Sequence, residues 1–399
     1  MKTNVAVFFG GRSVEHEISV ISALQAISAF NQEKYNVIPI YISKQGRWYT
    51  GTNLLNIRNY RDMDTLVKNA EEVYMRPEYG DFNLYRVNTR SGGLFAKKID
   101  PVVAEIHAAL PVLHGTNGED GVFEGVLETI GVPFAGCNTL SSANGMDKIT
   151  MKMILRESGV PVVDYVWFTD KEWSRRREEI VEKIEKTIGY PAIVKPANLG
   201  SSVGIGKAVD RDQLIEKIDN ASRFSQRIIV EHMIEKMKEI NCSVLGDCDD
   251  YQPSVCEEPI SKGDFLSYDE KYRGGNEGMA ASEKRIPADL PEETSKRVQH
   301  LACETFRVLS CHGVSRVDVM IDEKDNQIYV NEINTIPGSL SYYLWEATGI
   351  SFESLIDRLV QLALKRKREV ERKTFSYDRN IFALGGGGKG GKLGTKGSK

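Results

Sequence analysis

The opening segment restricts the fold more than any other feature. Two apolar runs, residues 4–9 and 35–42, flank the turn Gly10-Gly11-Arg12-Ser13 and a stretch, 15–30, whose apolar residues recur at helical spacing. A run without polar alternation is buried on both faces, and a helix between two such runs is the crossover of a parallel sheet. A third run, 108–113, ends in His114-Gly115, and Gly118-Glu119-Asp120-Gly121 leads into another helix. The N-terminal part is therefore expected to be α/β, a doubly wound parallel sheet.

Beyond about residue 140 the pattern changes. Helical periodicity appears at 146–158, 173–188, 293–308 and 352–366, with strand-like runs at 192–195, 227–231, 239–245, 314–321 and 327–331. Strands and helices grouped in this way predict α+β architecture. A chain of 399 residues accommodates two or three such units.

A net charge of −4 with mixed signs gives no electrostatic ground for nucleic-acid or membrane binding. The apolar run at 5–9 is too short for a signal-peptide core, and no run is long enough to span a bilayer. The six cysteines form no CxxC pair, as expected of free thiols in a reducing compartment. A cytoplasmic enzyme is expected. The Gly/Lys-rich segment 385–399 has no apolar periodicity and is expected to be disordered.

The stretch Lys195-Pro196-Ala197-Asn198-Leu199-Gly200-Ser201-Ser202-Val203-Gly204 places a lysine at a strand end before a loop of small residues, whose backbone N–H groups can approach an anion. It is not a P-loop: one residue too many separates Gly200 from Gly206-Lys207, and Ala208 stands where Ser or Thr is needed. The tail run from Gly386 to Lys392 has the spacing but ends in Leu393 and follows no strand. A second lysine, Lys148, follows Met146-Asp147. Two lysines, a glycine loop and a separate acidic cluster are what a nucleoside triphosphate needs.

That acidic cluster lies in a hairpin at 314–334 with its polar turn at 322–326. Period-two alternation puts Arg316 and Asp318 on one face of the first strand, with Glu332 and Asn334 together near the end of the second. The register sets Asp318 almost opposite Glu332. Two carboxylates and an amide oxygen form a hard-oxygen site suited to Mg²⁺, while Val317, Val319 and Ile321 bury the other face. Arg316 beside them could stabilise a phosphorylated or tetrahedral intermediate.

Together these segments resemble the D-alanine–D-alanine ligase family of ATP-grasp enzymes. The resemblance runs from about residue 3 to about residue 365. It is carried by Gly10-Gly11-Arg12-Ser13-Val14-Glu15-His16-Glu17-Ile18-Ser19, His114-Gly115-Thr116-Asn117-Gly118-Glu119-Asp120-Gly121 and Met146-Asp147-Lys148. The Lys195 loop, Asp269-Glu270-Lys271-Tyr272, Arg316 with Asp318, and the segment from Asn331 to Gly338 complete it. It implies an ATP-grasp fold: an N-terminal doubly wound domain at 1–139, a central lid at 140–232, a C-terminal catalytic unit at 233–375 and a tail at 376–399. By resemblance, Lys148, Lys195 and Ser202 hold the ATP phosphates, Lys271 the γ-phosphate, and Glu231 and Glu239 the adenine and ribose. Asp318, Glu332 and Asn334 are the implied ligands of Mg²⁺, with Mn²⁺ as its substitute. Glu15, supported by Ser201, matches the residue fixing the first substrate's ammonium, and His114 one close to that substrate. Tyr272, Arg316 and Gly338 complete the implied catalytic set. The partners implied are small amino acids, with neither nucleic acid nor membrane, and the family's dimers make a homodimer an expected state.

Two departures stand out. Glu231 and Glu239 are one residue further apart than the family pattern, and 339–345 is shorter and more aromatic than usual, with Tyr342, Tyr343 and Trp345 crowding the acceptor position. Those aromatics either pack a helix start or reshape the acceptor pocket. Three functions follow: D-alanyl-D-alanine synthesis for peptidoglycan, a ligase with another acceptor such as D-serine or D-lactate (Tyr272 argues against lactate), and a silent nucleotide-binding paralogue.

Overall fold

The computed structural model describes residues 2–89, 100–200, 203–260 and 284–377. Three sheets organise them. In the first, strands Tyr35–Ile42, Thr3–Gly10 and Ala108–Val112 lie side by side and parallel. Val5, Val7 and Phe9 point into one core and Ala6 and Phe8 into another, so helices cover both faces. Helices His16–Ser28 and Phe352–Val370 supply one cover and Val122–Ile130 the other. The parallel arrangement expected from the sequence is thus present, but it is only part of the sheet. Four further strands, Trp48–Thr50, Glu71–Met75, Asn83–Arg86 and Val102–Glu105, extend it antiparallel. They are short and half-exposed, so they carry little of the apolar signal that marks the buried strands.

The second sheet orders Gly206–Ala208, Ala192–Pro196, Arg227–His232 and Tyr165–Thr169, all antiparallel, under helices Arg177–Thr187 and Arg211–Ala221. The third orders Lys284–Arg285, Tyr251–Pro259, Met237–Gly246, Gly313–Asp322 and Ile328–Asn334, also antiparallel, with helix Glu292–Val308 on one face. The six cysteines are free. Among the described residues no helix is long and apolar enough to cross a membrane.

The helix expected over 146–158 is present as Lys148–Glu157, preceded by a separate helix, Thr139–Met146, and between them stands Asp147, which is extended and caps the second. Its Oδ1 accepts from Thr150 N at 2.8 Å and its Oδ2 pairs with Arg227 Nη1 at 2.8 Å. The cap thereby fixes Lys148 at the start of a helix and ties that helix to the second sheet. Asp147→Ala is expected to cost about 1–2 kcal/mol, from the lost cap plus a partly exposed ion pair, read in denaturant unfolding. A midpoint unchanged from the parent would refute that role. The helix expected over 173–188 is divided at Arg176, into Asp170–Arg175 and Arg177–Thr187.

Candidate active site

Chemistry collects on the face of the third sheet opposite helix Glu292–Val308. Register places Glu257, Asn241, Asp318 and Glu332 in one cross-strand row, and Ser243, Arg316 and Asn334 in another. The alternate residues Val317, Val319 and Ile321 are buried in the core behind. Asp318 lies directly opposite Glu332, as the hairpin reading anticipated. Asp318 then pairs opposite Glu332 while Val319 pairs opposite Val330, so Asn331 is a bulge residue. The bulge turns Asn331 as well as Glu332 away from the core, a feature that strict alternation hides.

Asp318 is 4 % exposed and accepts a bidentate pair from Arg316, Nε to Oδ1 at 2.6 Å and Nη2 to Oδ2 at 2.8 Å, with Asn334 Nδ2 donating to Oδ2 at 3.0 Å. Burial pushes its carboxyl above the ordinary range; Arg316 pulls it back, and the charges of Glu332 and Glu257 add to the upward push. Burial opposes the charge of Arg316 too, but Asp318 outweighs it and raises the guanidinium. Asp318, Glu332 and the Asn334 amide oxygen are hard oxygen donors of the kind that fit a divalent cation, with Arg316 beside them on Asp318.

Two lysines of the second sheet's side reach this hairpin. Lys148 Nζ lies 3.0 Å from Glu332 Oε2 and donates to Leu199 O at 3.1 Å. Burial works against its charge, and Glu332 more than restores it. Lys195 Nζ donates to Glu231 Oε2 at 2.7 Å and to Asn331 Oδ1 at 3.1 Å. Lys195 and Lys148 thus reach neighbouring residues, Asn331 and Glu332, of the hairpin that carries Asp318. The other oxygen of Glu231 lies 3.2 Å from Lys152 Nζ. Burial would raise Glu231, but Lys152 and Lys195 together hold it at about 2. Both its oxygens are engaged by lysines, whereas Glu239 is exposed.

The first sheet contributes the third side. Glu15 precedes helix His16–Ser28, and its carboxylate lies against two glycines. A Cβ on Gly115 would meet Glu15 Oε2 at 2.6 Å, and one on Gly200 would meet it at 3.2 Å. At Gly115, whose φ is +70°, glycine lets the His114 turn close on that carboxylate, while Gly200 brings the Lys195 loop close to it. His114 Nδ1 is 2.9 Å from Ile336 O and its Nε2 is 2.9 Å from Ser22 Oγ. A carbonyl can only accept, so Nδ1 carries the proton and Ser22 donates to Nε2. Burial lowers His114, which keeps it in this neutral form. Ser22 Oγ in turn accepts from Ser339 N at 3.0 Å, binding the first helix to the segment after Gly338.

Gly338 opens a short turn in which Ser339, Leu340 and Ser341 all have φ between 51° and 54°. Three successive non-glycine residues in the left-handed region are strained, each by roughly 1–3 kcal/mol. The aromatics that follow divide between the two roles open to them. Tyr342 stacks on Phe352, and Trp345 is fully buried with Nε1 donating to Ser243 Oγ at 3.1 Å. Tyr343 instead turns to the polar row, its hydroxyl donating to Glu257 Oε2 at 3.1 Å. Lys284 lies 3.3 Å from Glu257 Oε1 and sits over the Tyr343 ring at 4.1 Å.

The structure therefore brings together Glu15, Lys148, Lys195, Glu231, Arg316, Asp318, Glu332, Asn334 and Gly338. Ser201, Ser202, Lys271 and Tyr272 lie outside the described residues. Sequence reasoning did not single out Lys152, Glu119, Asn241, Asn331 or Glu257. A lysine one helical turn after Lys148, on the same face, was the available sign for the first of these.

Two family descriptions match the chain, the D-ala D-ala ligase N-terminus over residues 4–137 and the D-ala D-ala ligase C-terminus over 154–361. The chain belongs to the D-alanine–D-alanine ligase family. It is 41% identical over 381 residues to a D-alanine--D-alanine ligase of Thermosipho melanesiensis, covering 96% of this chain and 98% of that one. A Natranaerobius thermophilus protein of the same name is 39% identical, with coverages of 94% and 99%. Among solved structures, the D-alanine-D-alanine ligase of Coxiella burnetii superposes with a TM-score of 0.76 at 29% identity, over 93% of this chain and 96% of that one. VanG D-Ala:D-Ser ligase of Enterococcus faecalis gives a TM-score of 0.76 at 31% identity, over 91% and 100%. The fold is ATP-grasp, and the family is one of ATP-dependent carboxylate–amine ligases.

Proposed function

We propose that this chain joins two D-amino acids, D-alanine in both positions, through an acyl phosphate, supplying a dipeptide for peptidoglycan. The observation that carries the reading is the meeting of Lys148 and Lys195 with the Asp318–Glu332 hairpin. A carboxylate is a poor electrophile because oxide would have to leave. Transfer of the γ-phosphoryl group of ATP to the first substrate's carboxylate gives that carbon phosphate as its leaving group. The second substrate's neutral amine then displaces it.

In this reading Glu15, with Ser201, holds the first ammonium, and His114 orders the adjoining turn. Lys148, Lys195, Ser202 and Lys271 hold phosphates. Glu231 acts through Lys195, whose ammonium it fixes, and the exposed Glu239 takes the ribose. Arg316 and Gly338 face the developing charge, and Tyr272 covers the acceptor. Asp318, Glu332 and Asn334 would hold Mg²⁺ or Mn²⁺, which supplies charge neutralisation to the phosphoryl oxygens when bound. The division at 139/140 and 232/233, a homodimer and a cytoplasmic location belong to the same reading.

A second acceptor is favoured by one local observation. The strained turn at 339–341 precedes Tyr343, whose hydroxyl donates to the buried Glu257, and in this reading the pair borders the acceptor. Such a wall suits an acceptor side chain bearing a hydrogen-bond donor, D-serine included. ATP-dependent phosphate release with a panel of D- and L-amino acids, products weighed by mass spectrometry, separates the cases. D-Ala-D-Ala as the main product supports the first reading. A mixed dipeptide without it supports the second, and no turnover with any pair overturns both in favour of a silent paralogue.

A further inference from the structure

Lys152 lies one turn beyond Lys148 on helix Lys148–Glu157, with a side-chain exposure of 0%. Its Nζ is 3.2 Å from Glu231 Oε1, and Lys195 Nζ is 2.7 Å from the other oxygen of that carboxylate. Beyond that ion pair, neither Lys152 Nζ nor Glu231 Oε1 has a hydrogen-bond partner among the described residues. A completely buried ammonium held by one ion pair is expensive, and an apolar side chain would pack there at lower cost. Folding alone does not account for it.

We propose that Lys152 is a positioning residue that shares Glu231 so that Lys195 keeps its positive charge for the nucleotide phosphates. One carboxylate between two ammonium groups leaves the buried triad with a net positive charge. With Lys152 absent, Glu231 belongs to Lys195 alone, and the pair is neutral toward an incoming triphosphate. The inference rests on the reading in which Lys195 holds phosphate. It adds a residue that touches no substrate.

The test is steady-state kinetics on the full chain, varying ATP and amino acid separately. Lys152→Met is expected to raise KM for ATP at least about ten-fold while KM for the amino acids moves less than about two-fold. Lys152→Arg, which keeps a cation beside Glu231, is expected to hold KM for ATP within about three-fold of the parent. A buried pair serving only stability would lower thermal unfolding in Lys152→Met without separating the two KM values. Lys152→Gln replaces the methionine variant if that fails to fold, and if neither folds Lys152→Arg decides, a ten-fold loss overturning the proposal. A folded Lys152→Met or Lys152→Gln with unchanged KM for ATP also overturns it. Lys195→Met separates the two levels. If that variant binds ATP normally, the phosphate role of Lys195 fails; if it loses ATP while Lys152→Met does not, only the role of Lys152 fails.

Discussion

Asp318→Asn is expected to lower kcat for amino-acid-dependent phosphate release by at least about 10²–10³-fold and to leave the protein folded. The substitution keeps the shape of a side chain that sits in the middle of the polar row and removes its charge. Charge is what that position supplies: burial and the neighbouring Glu332 and Glu257 already push the carboxyl up, so the folded chain gains little stability from ionising it. Neutralisation relieves part of that repulsion but leaves the buried Arg316 without its charged bidentate partner. Stability is therefore expected to fall, by up to about 3–5 kcal/mol, while the asparagine oxygen still accepts from the guanidinium. The loss falls on a cation and on the phosphoryl oxygens it would neutralise. Glu332→Gln carries the same expectation, since Glu332 faces Asp318 across the hairpin and pairs with Lys148. Phosphate release and thermal unfolding measured on the same samples check both halves. An Asp318→Asn protein with parental turnover would remove the hairpin from the active site.

Why the hairpin was legible in sequence is clear from its physics. Asp318 and Glu332 are polar residues alternating with Val317, Val319 and Ile333 in strands long enough to fix a register. The buried parallel strands around Thr3–Gly10 were legible for the related reason that apolar character is continuous along them. Signals failed where context decides. Trp48–Thr50 is three residues long and exists only because its neighbours pair with it. Thr139–Met146, mostly small and polar residues, lacks the apolar spacing that marks a helix, and its end is set by Asp147 capping the next one, a competition between side chain and backbone that periodicity does not register. Asn331 joins the site through a bulge, and Glu257 through a strand whose burial pattern does not alternate. Lys152 and Glu231 are charged residues in the interior, where sequence patterning expects none, and only the spatial pairing explains both.

Glu119→Ala is expected to be the most damaging single change outside the residues proposed to touch substrate. Glu119 Oε2 accepts from Gly115 N at 2.9 Å and Oε1 from Ile336 N at 3.2 Å, so one buried side chain joins the turn under Glu15 to the segment leading to Gly338. Alanine would leave two buried N–H groups without partners, at roughly 1–3 kcal/mol each, and release both turns. The expected result is a loss of about 2–5 kcal/mol in denaturant unfolding and about 10²-fold in kcat/KM, as misplaced groups lose their orientation. Burial, then the charge of Glu15, pushes the Glu119 carboxyl up to about 8 from an ordinary 4.5. An acid raised in the folded state holds its proton there when the unfolded chain has lost it. Its contribution to stability is therefore greatest at low pH and falls as pH rises from about 4.5 through about 8. Glu119→Gln, a neutral side chain of similar shape, should cost less than alanine near neutrality and flatten that decline in the nucleotide-free protein. A parental slope of stability against pH across this window in Glu119→Gln would show that the proton resides elsewhere.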